Sequence, residues 1–188
     1  MFRILGVLLL TLSLQAEPQP ASPIGDHVKL QHAGFIGRAA IGVGDHFFEG
    51  HLQSELFYGY VPKEVAGVHI HTLTLKNNYR PYTFRLDGYT LTPYLGLGIM
   101  DMVKQRYSAN SREEVPSNYY HVTGFHLLAY SGVEYKREFM DRNEKRRAFS
   151  LFLEIGTIDT YLVTYYNNRE FLGPEDIYSL AIGVGYHY

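Results

Sequence analysis

The chain has 188 residues and a formal net charge of −2, and hydrophobic residues make up 46% of it. This length suits one folded domain or two, and the near-neutral charge excludes nucleic acid as an expected partner, because proteins that bind it usually carry basic surfaces. The chain has no cysteine, so no disulfide bond stabilises it. Its composition is skewed toward tyrosine and glycine, with 17 and 18 residues, and it lacks tryptophan.

The first residues have the layout of a secretory signal peptide. A single arginine precedes the apolar run from Ile4 to Leu14, and a proline-rich polar stretch follows Ala16. The apolar run is too short to cross a bilayer as a helix, which favours a cleaved signal over an anchor. We therefore predict a signal peptide over residues 1–16, an exported N-terminal segment over 17–27 and one folded domain over 28–188.

The folded domain alternates large apolar residues with small or polar ones, a period of two that is typical of β-strands. In residues 90–100, the odd positions from Leu91 to Ile99 are apolar, whereas threonine and glycine dominate the even ones. The same pattern recurs clearly at residues 149–157 and 178–188. Noisier alternation predicts four further strands, at residues 34–47, 51–61, 67–79 and 121–136. We predict no helix after the signal peptide.

Two all-β architectures fit this alternation. A soluble sandwich or lipocalin-like barrel places the large apolar residues inside, whereas a membrane barrel turns them toward lipid. Glycine, serine and threonine dominate the opposite faces, where a soluble surface would carry dense lysine and glutamate. Tyrosines near the predicted strand ends suit a boundary between lipid and water. The sequence therefore favours an antiparallel, up-and-down transmembrane β-barrel.

The final segment places Ile182, Val184, Tyr186 and Tyr188 on one face and ends on an aromatic residue. Together with the signal peptide and the alternating strands, this segment resembles the small outer-membrane β-barrel proteins of Gram-negative bacteria. The resemblance implies that these four residues form the signal read by the barrel-insertion machinery. It also implies a monomer that lies in outer-membrane lipid and lipopolysaccharide, after export through the inner membrane.

The seven predicted segments require an eighth, because single-chain bacterial barrels have an even number of strands. Residues 26–33 are favoured over residues 82–89, since both chain termini then lie on the periplasmic side. Eight strands enclose an interior that side chains can fill, which excludes a porin-like channel. The long connections at 104–120 and 158–175 are then expected outside the cell.

Strand parity places six ionisable side chains on the inward faces: Arg38, Glu55, Lys76, His126, Glu134 and Glu154. Because an isolated buried charge is costly, we expect these side chains to pair in a structural network. A catalytic site would instead need a histidine base, an orienting carboxylate and a nucleophile. Ser131 lies near His126 and Glu134 in sequence, but it has the opposite parity and would face lipid.

The sequence assigns no catalytic residue, metal ligand or cofactor. His69 and His71 have the spacing of a two-histidine metal site, but a third ligand is not evident. A structural role, or binding through the loops, is therefore the main functional expectation. One alternative is an outer-membrane enzyme that hydrolyses or transfers the acyl chains of lipid A or phospholipids. The other is a soluble periplasmic lipid-binding barrel with the same strands turned inside out.

Overall fold

The computed structural model describes residues 25–67, 69–102 and 125–188. The strands are β1 (His27–Ala33), β2 (Ala39–Phe47), β3 (Leu52–Val61), β4 (Ile70–Tyr79), β5 (Phe84–Leu86), β6 (Tyr89–Met102), β7 (Phe125–Met140), β8 (Arg146–Ile158) and β9 (Ser179–His187). The connections contain the α-helices α1 (Lys63–Ala66) and α2 (Asp159–Asn167) and the 3₁₀ helices Phe48–Gly50 and Pro174–Asp176. In the part of the chain that is described, no helix has the length and apolarity needed to cross a membrane.

Eight of these strands close into an antiparallel barrel. Neighbouring strands pair in chain order, β9 pairs back with β1, and β6 pairs directly with β4. The three-residue β5 pairs with the start of β6 and stands outside the closed ring. The predicted all-β, eight-strand antiparallel barrel is therefore confirmed. Its eighth strand is the favoured segment 26–33, and residues 82–89 supply only β5.

A proline in β6 marks the point where that strand changes partner. The pairing with β5 ends at Leu91, and the pairing with β4 begins at Leu95. Pro93 lies between them, with Val133 of β7 opposite it on the other side. Because proline has no N–H to donate, it is tolerated where a strand lacks a neighbour on one side.

The two faces of the strands differ as the alternation predicts. On β6, Leu95 and Leu97 are 61% and 69% exposed on the outer face, while the adjacent inward-facing Tyr94 is 2% exposed. Outer-face residues of β8 and β9 are exposed in the same way: Phe149, Leu151, Leu153, Ile155, Leu180, Ile182 and Val184. Large apolar side chains thus cover the outside of the barrel, while its lumen contains the polar side chains, most of the buried aromatic rings and a smaller group of aliphatic side chains.

Glycines make room for the aromatic side chains of the lumen. Four aromatic rings lie against glycines: Phe57 against Gly42, Tyr94 against Gly132, Tyr130 against Gly96 and Phe152 against Gly183. A Cβ atom added at Gly96 would lie 2.1 Å from the ring of Tyr130, far inside van der Waals contact. The inward glycines are therefore small because the ring opposite each of them occupies the space.

Several element boundaries differ from the prediction. The strand predicted at 34–47 begins only at Ala39, because residues 34–38 form a loop in which Gly34 and Gly37 have positive φ. The strand predicted at 67–79 begins at Ile70. The predicted start of β7, the signal peptide, most of the segment 17–27 and the connection 104–120 lie outside the described residues.

The helix α2 contradicts the prediction of a helix-free domain. It occupies residues 159–167, inside a stretch rich in tyrosine and threonine that was expected to be an irregular loop. Asp159 lies in its first turn, where a negative charge favours the helix N-terminus. The Thr164 hydroxyl donates to the Thr160 carbonyl one turn earlier, at 2.8 Å.

The described chain ends meet at one end of the barrel, which we call the termini end. There, the Tyr188 N–H donates to the Asp26 carbonyl at 3.1 Å. The short connections 48–51 and 141–145 lie at the same end. The opposite end, which we call the loop end, carries the connections that contain α1 and α2.

Candidate functional site in the barrel lumen

The loop-end half of the lumen is filled by apolar side chains. Ile36 enters it from the loop between β1 and β2, and Met100, Leu128 and Ile158 enter from β6, β7 and β8. All four are nearly or fully buried. This half of the lumen therefore resembles an ordinary hydrophobic core and offers few groups for chemistry.

The termini-end half contains a ring of ionisable side chains. Going round the ring, each member contacts the next: Asp26, His27, Glu55, Lys29, Glu134, Arg80, His46 and again Asp26. Acidic and basic groups alternate around it except where Arg80 and His46 are neighbours. We call this set the inner ring. Because each buried charge has an opposite charge on both sides or a neutral polar partner, the desolvation cost is offset.

The central contacts of the inner ring are short. Lys29 Nζ lies 2.8 Å from a Glu55 carboxylate oxygen and 3.3 Å from one of Glu134. His27 Nε2 lies 2.9 Å from Glu55, and Arg80 Nη2 lies 3.0 Å from Glu134. The Glu134 oxygens accept no well-directed hydrogen bond at these distances, so its contacts are ion pairs rather than hydrogen bonds.

Asp26 closes the ring from the segment before β1. Its carboxylate contacts Nδ1 of His27 and lies 2.6 Å from Nδ1 of His46. Partial burial alone raises the pKa of Asp26, but the hydrogen bonds from the two imidazoles outweigh it and hold that pKa well below its usual value. Both ring nitrogens of His27 face carboxylates, an arrangement that suits the doubly protonated imidazolium. Arg80 Nη1 lies 2.5 Å from Nε2 of His46.

A second ion pair lies between the inner ring and the apolar half. Lys76 Nζ donates to both carboxylate oxygens of Glu154 at 2.6 and 2.7 Å, and the Tyr94 hydroxyl donates to Glu154 at 2.8 Å. The Lys76 ammonium also lies 4.5 Å from the ring centre of Tyr130. The Tyr130 hydroxyl donates to Asn78 at 2.6 Å, and this tyrosine therefore contacts polar and apolar parts of the lumen.

The six ionisable residues placed inward by parity do not all meet. Glu55, Lys76, Glu134 and Glu154 are buried in the lumen and paired. Arg38 is instead exposed in the loop before β2. Its inward direction was predicted by assuming a continuous strand from residue 34, but residues 34–38 form a loop and β2 begins only at Ala39.

His126 lies apart from the other five, at the loop end of β7. Its Nδ1 is 3.2 Å from Asp159 and 3.1 Å from the Thr160 hydroxyl. Both partners contact the same nitrogen, whereas a catalytic relay needs the carboxylate and the nucleophile on different ring nitrogens. Glu134 pairs with Lys29 and Arg80 at the other end of the strand, so the grouping of His126, Glu134 and Ser131 is not assembled.

The residues of the expected insertion signal lie at the seam between the first and last strands. Ile182 and Val184 are about half exposed on the outer face. The Tyr186 ring packs against Phe149 and Tyr188, with ring centres 5.2 and 6.2 Å apart. Their placement suits recognition of the terminal strand from outside, and the recognition itself stays a prediction.

The outward pair His69 and His71 is held by tyrosines. The Tyr60 hydroxyl lies 2.6 Å from Nδ1 of His69, and the Tyr58 hydroxyl lies 2.5 Å from Nδ1 of His71. Each histidine is hydrogen-bonded to a tyrosine hydroxyl, and the four side chains form an aromatic and polar patch near the loop end. No third ligand joins them among the described residues.

Sequence reasoning did not anticipate most of the inner ring. His27, Lys29 and Gln31 alternate with the apolar Val28 and Leu30. This alternation in residues 26–33 could have predicted that the three polar side chains point into the lumen. Arg80 follows the end of β4 and carries no such signal. His46 and Asp26 come close only because of the register between β1 and β2.

Comparisons of this chain with protein-family models, with curated proteins and with solved structures found no match.

Proposed function

We propose that the protein is a membrane-spanning β-barrel of the outer membrane of a Gram-negative bacterium. Its lumen is closed by side chains, and its role is structural or is performed by the connections at the loop end. The proposal rests on one observation: the polar and apolar faces of the barrel are exchanged relative to those of a soluble protein. Charged groups are buried inside it, and large apolar side chains cover its outer wall.

The exposed apolar wall is continuous around the barrel. Leucine and isoleucine residues on the outer faces of all eight barrel strands are between about two-fifths and two-thirds exposed: Leu30, Ile41, Leu56, Leu73, Leu75, Leu95, Leu97, Leu127, Leu151, Leu153, Leu180 and Ile182. Soluble monomers rarely expose apolar patches larger than a few hundred Å². A lipid bilayer supplies the apolar surroundings that such a wall needs.

One group of aromatic side chains on the outer face lies toward the termini end. Tyr89 stacks on Tyr135 with ring centres 5.5 Å apart, and Phe139 stacks on Phe149 at 5.3 Å. Outer-membrane barrels carry such girdles where lipid meets water. The girdle supports a bilayer boundary at this level of the barrel.

The filled lumen favours a role other than wide-pore transport. Phe57, Tyr94, Met100 and Phe152 are almost fully buried between the strands, and the two ion-pair systems cross the remaining width. The loop end instead presents exposed side chains such as Tyr166 and Phe171. If the termini end is periplasmic, these side chains lie on the extracellular side and supply a surface for a binding partner.

The proposal is tested by expressing the full chain in a Gram-negative host and separating the compartments. We expect the protein in the outer-membrane fraction, resistant to urea extraction, with a gel mobility that changes when the sample is boiled. Recovery in the soluble periplasmic fraction would contradict the proposal and favour the lipid-carrier alternative. A comparison of the acyl chains of lipid A and phospholipids in the same cells checks the enzyme alternative, for which we expect no change.

A further inference from the structure

We propose that His27, His46 and His187, with the Asp26 carboxylate, form a binding site for one divalent transition-metal ion at the termini end of the lumen. One ring nitrogen from each histidine lies within 4.8 Å of those of the other two. Tetrahedral Zn²⁺ with nitrogen ligands at about 2.0–2.1 Å requires separations of about 3.4 Å, so small side-chain movements suffice. The inference is independent of whether the barrel lies in a membrane.

The strand register brings these histidines together. His27 of β1 is directly paired with His187 of β9, and both rings face the lumen, with centres 5.2 Å apart. His46 extends from β2 on the other side of β1, with its ring centre 5.1 Å from that of His27. A Cβ at Gly44 would lie 2.9 Å from the His27 ring, so glycine at this position permits the close approach.

Asp26 supplies the oxygen ligand or the partner that orients the rings. Its two carboxylate oxygens each contact Nδ1 of one histidine, His27 or His46. A carboxylate beside metal-binding histidines is the usual way of fixing ring orientation and raising ligand basicity. A metal ion bound here would take the place of the protons that Asp26 now shares with the two rings.

Polar groups outside the cluster hold the rings in place. His27 Nε2 lies 2.9 Å from Glu55, and His187 Nε2 lies 3.0 Å from the Ser150 hydroxyl. Arg80 occupies Nε2 of His46 in the metal-free arrangement. When the metal binds, the guanidinium must turn away from this ring, and it can retain its ion pair with Glu134 through Nη2.

The site can be reached from solvent. An open, mainly polar cavity of about 490 Å³ at the termini end has both Asp26 and His46 in its wall. The side chains of His46 and His187 are 19% and 11% exposed, whereas His27 is fully buried behind them. A hydrated ion therefore meets Asp26 and His46 first and loses water as it reaches the deeper ligands.

Three imidazoles and a carboxylate select the kind of ion. Imidazole suits Zn²⁺, Cu²⁺ and Ni²⁺, whereas Ca²⁺ and Mg²⁺ prefer oxygen ligands. The three histidines belong to β1, β2 and β9, so the ion would tie together the strands at which the chain closes on itself. We therefore infer a clamp at the closing seam of the barrel, and Zn²⁺ binding should stabilise the folded state.

The test uses the mature full-length chain without a histidine tag, folded in detergent micelles. Calorimetric titration with ZnCl₂ should show one site per chain, and CoCl₂ should give the intense visible absorption of tetrahedral nitrogen-coordinated Co²⁺. The variant H46Q/H187Q should lose affinity by more than about tenfold, since loss of even an outer partner of a metal ligand costs 10- to 100-fold. Zn²⁺ should also raise the unfolding midpoint of the wild type but not of this variant.

The double variant H69Q/H71Q is the matched control, because it removes the exposed histidine pair on the outer wall. It should bind Zn²⁺ as the wild type does. Each variant is checked for the heat-dependent gel shift of a folded barrel, and D26N, which should also weaken Zn²⁺ binding, replaces H46Q/H187Q if that variant does not fold. Binding that survives in H46Q/H187Q but disappears in H69Q/H71Q would overturn the proposal, and so would a wild type without Co²⁺ absorption.

Discussion

The two halves of the lumen are filled by opposite chemical means. At the loop end, Ile36, Met100 and Leu128 pack as in the core of a soluble protein. At the termini end, the inner ring fills the same width with paired acidic and basic side chains. Packing of apolar side chains tolerates small changes of shape, whereas a buried charge without its partner is strongly destabilising. The two halves should therefore respond differently to mutation.

Loss of one partner of the Lys76–Glu154 ion pair, which lies between the inner ring and the apolar half, should have the largest effect. In K76M, the hydroxyl of Tyr94 is the one hydrogen-bond donor that the Glu154 carboxylate keeps among the described residues. We expect the free energy of unfolding in urea to fall by about 3–5 kcal/mol, the usual cost of leaving a buried charge uncompensated.

The double variant K76M/E154Q is the control for this prediction. It removes both charges, and a neutral glutamine can still accept the hydrogen bond from Tyr94. We expect most of the stability to return, because a buried ion pair often contributes little beyond a well-packed neutral pair. A double variant as unstable as K76M would show that packing, and not charge, determines the cost.

Truncation in the apolar half should have a comparable or smaller effect. Met100 is 1% exposed, and M100A should lower the free energy of unfolding by about 2–5 kcal/mol through the cavity it leaves. Its neighbour Ile99 points outward and is half exposed. I99A should cost clearly less, and equal losses for the two variants would contradict the assignment of their faces.

A change at the boundary between the halves should have the smallest effect. In G96A, the new methyl group meets the Tyr130 ring, and that ring can shift to relieve part of the clash. We expect a loss of about 1–3 kcal/mol, typical of overpacking. The variant G96A/Y130L should cost less than the sum of the two single variants, and strict additivity would show that the two residues are not in contact.

The alternation in the sequence was sufficient to predict the closed barrel and its two faces. Regular strands such as β6 and β8 have an unbroken period of two, so each residue's face follows from its neighbours. The same counting failed at Arg38, where a loop with two glycines interrupts the strand. Parity carries information only while the backbone stays extended.

The features that the sequence did not reveal depend on contacts between distant segments. His27, His46 and His187 are brought together by the pairing of β1 with both β2 and β9, a register that no local pattern specifies. The helix α2 lies in a stretch whose tyrosines and threonines favour strands. Its formation beside the end of β8 overrides that local preference.

The most direct test of the account concerns the surroundings of the outer wall. The chain has no tryptophan, so L95W and F48W each carry one fluorescent reporter, the first at mid-strand on the outer face of β6 and the second in the turn at the termini end. Both variants are folded into bilayers with and without brominated acyl chains. We predict strong quenching of L95W and weak quenching of F48W. Weak quenching of both would contradict the claim that the exposed apolar wall faces lipid.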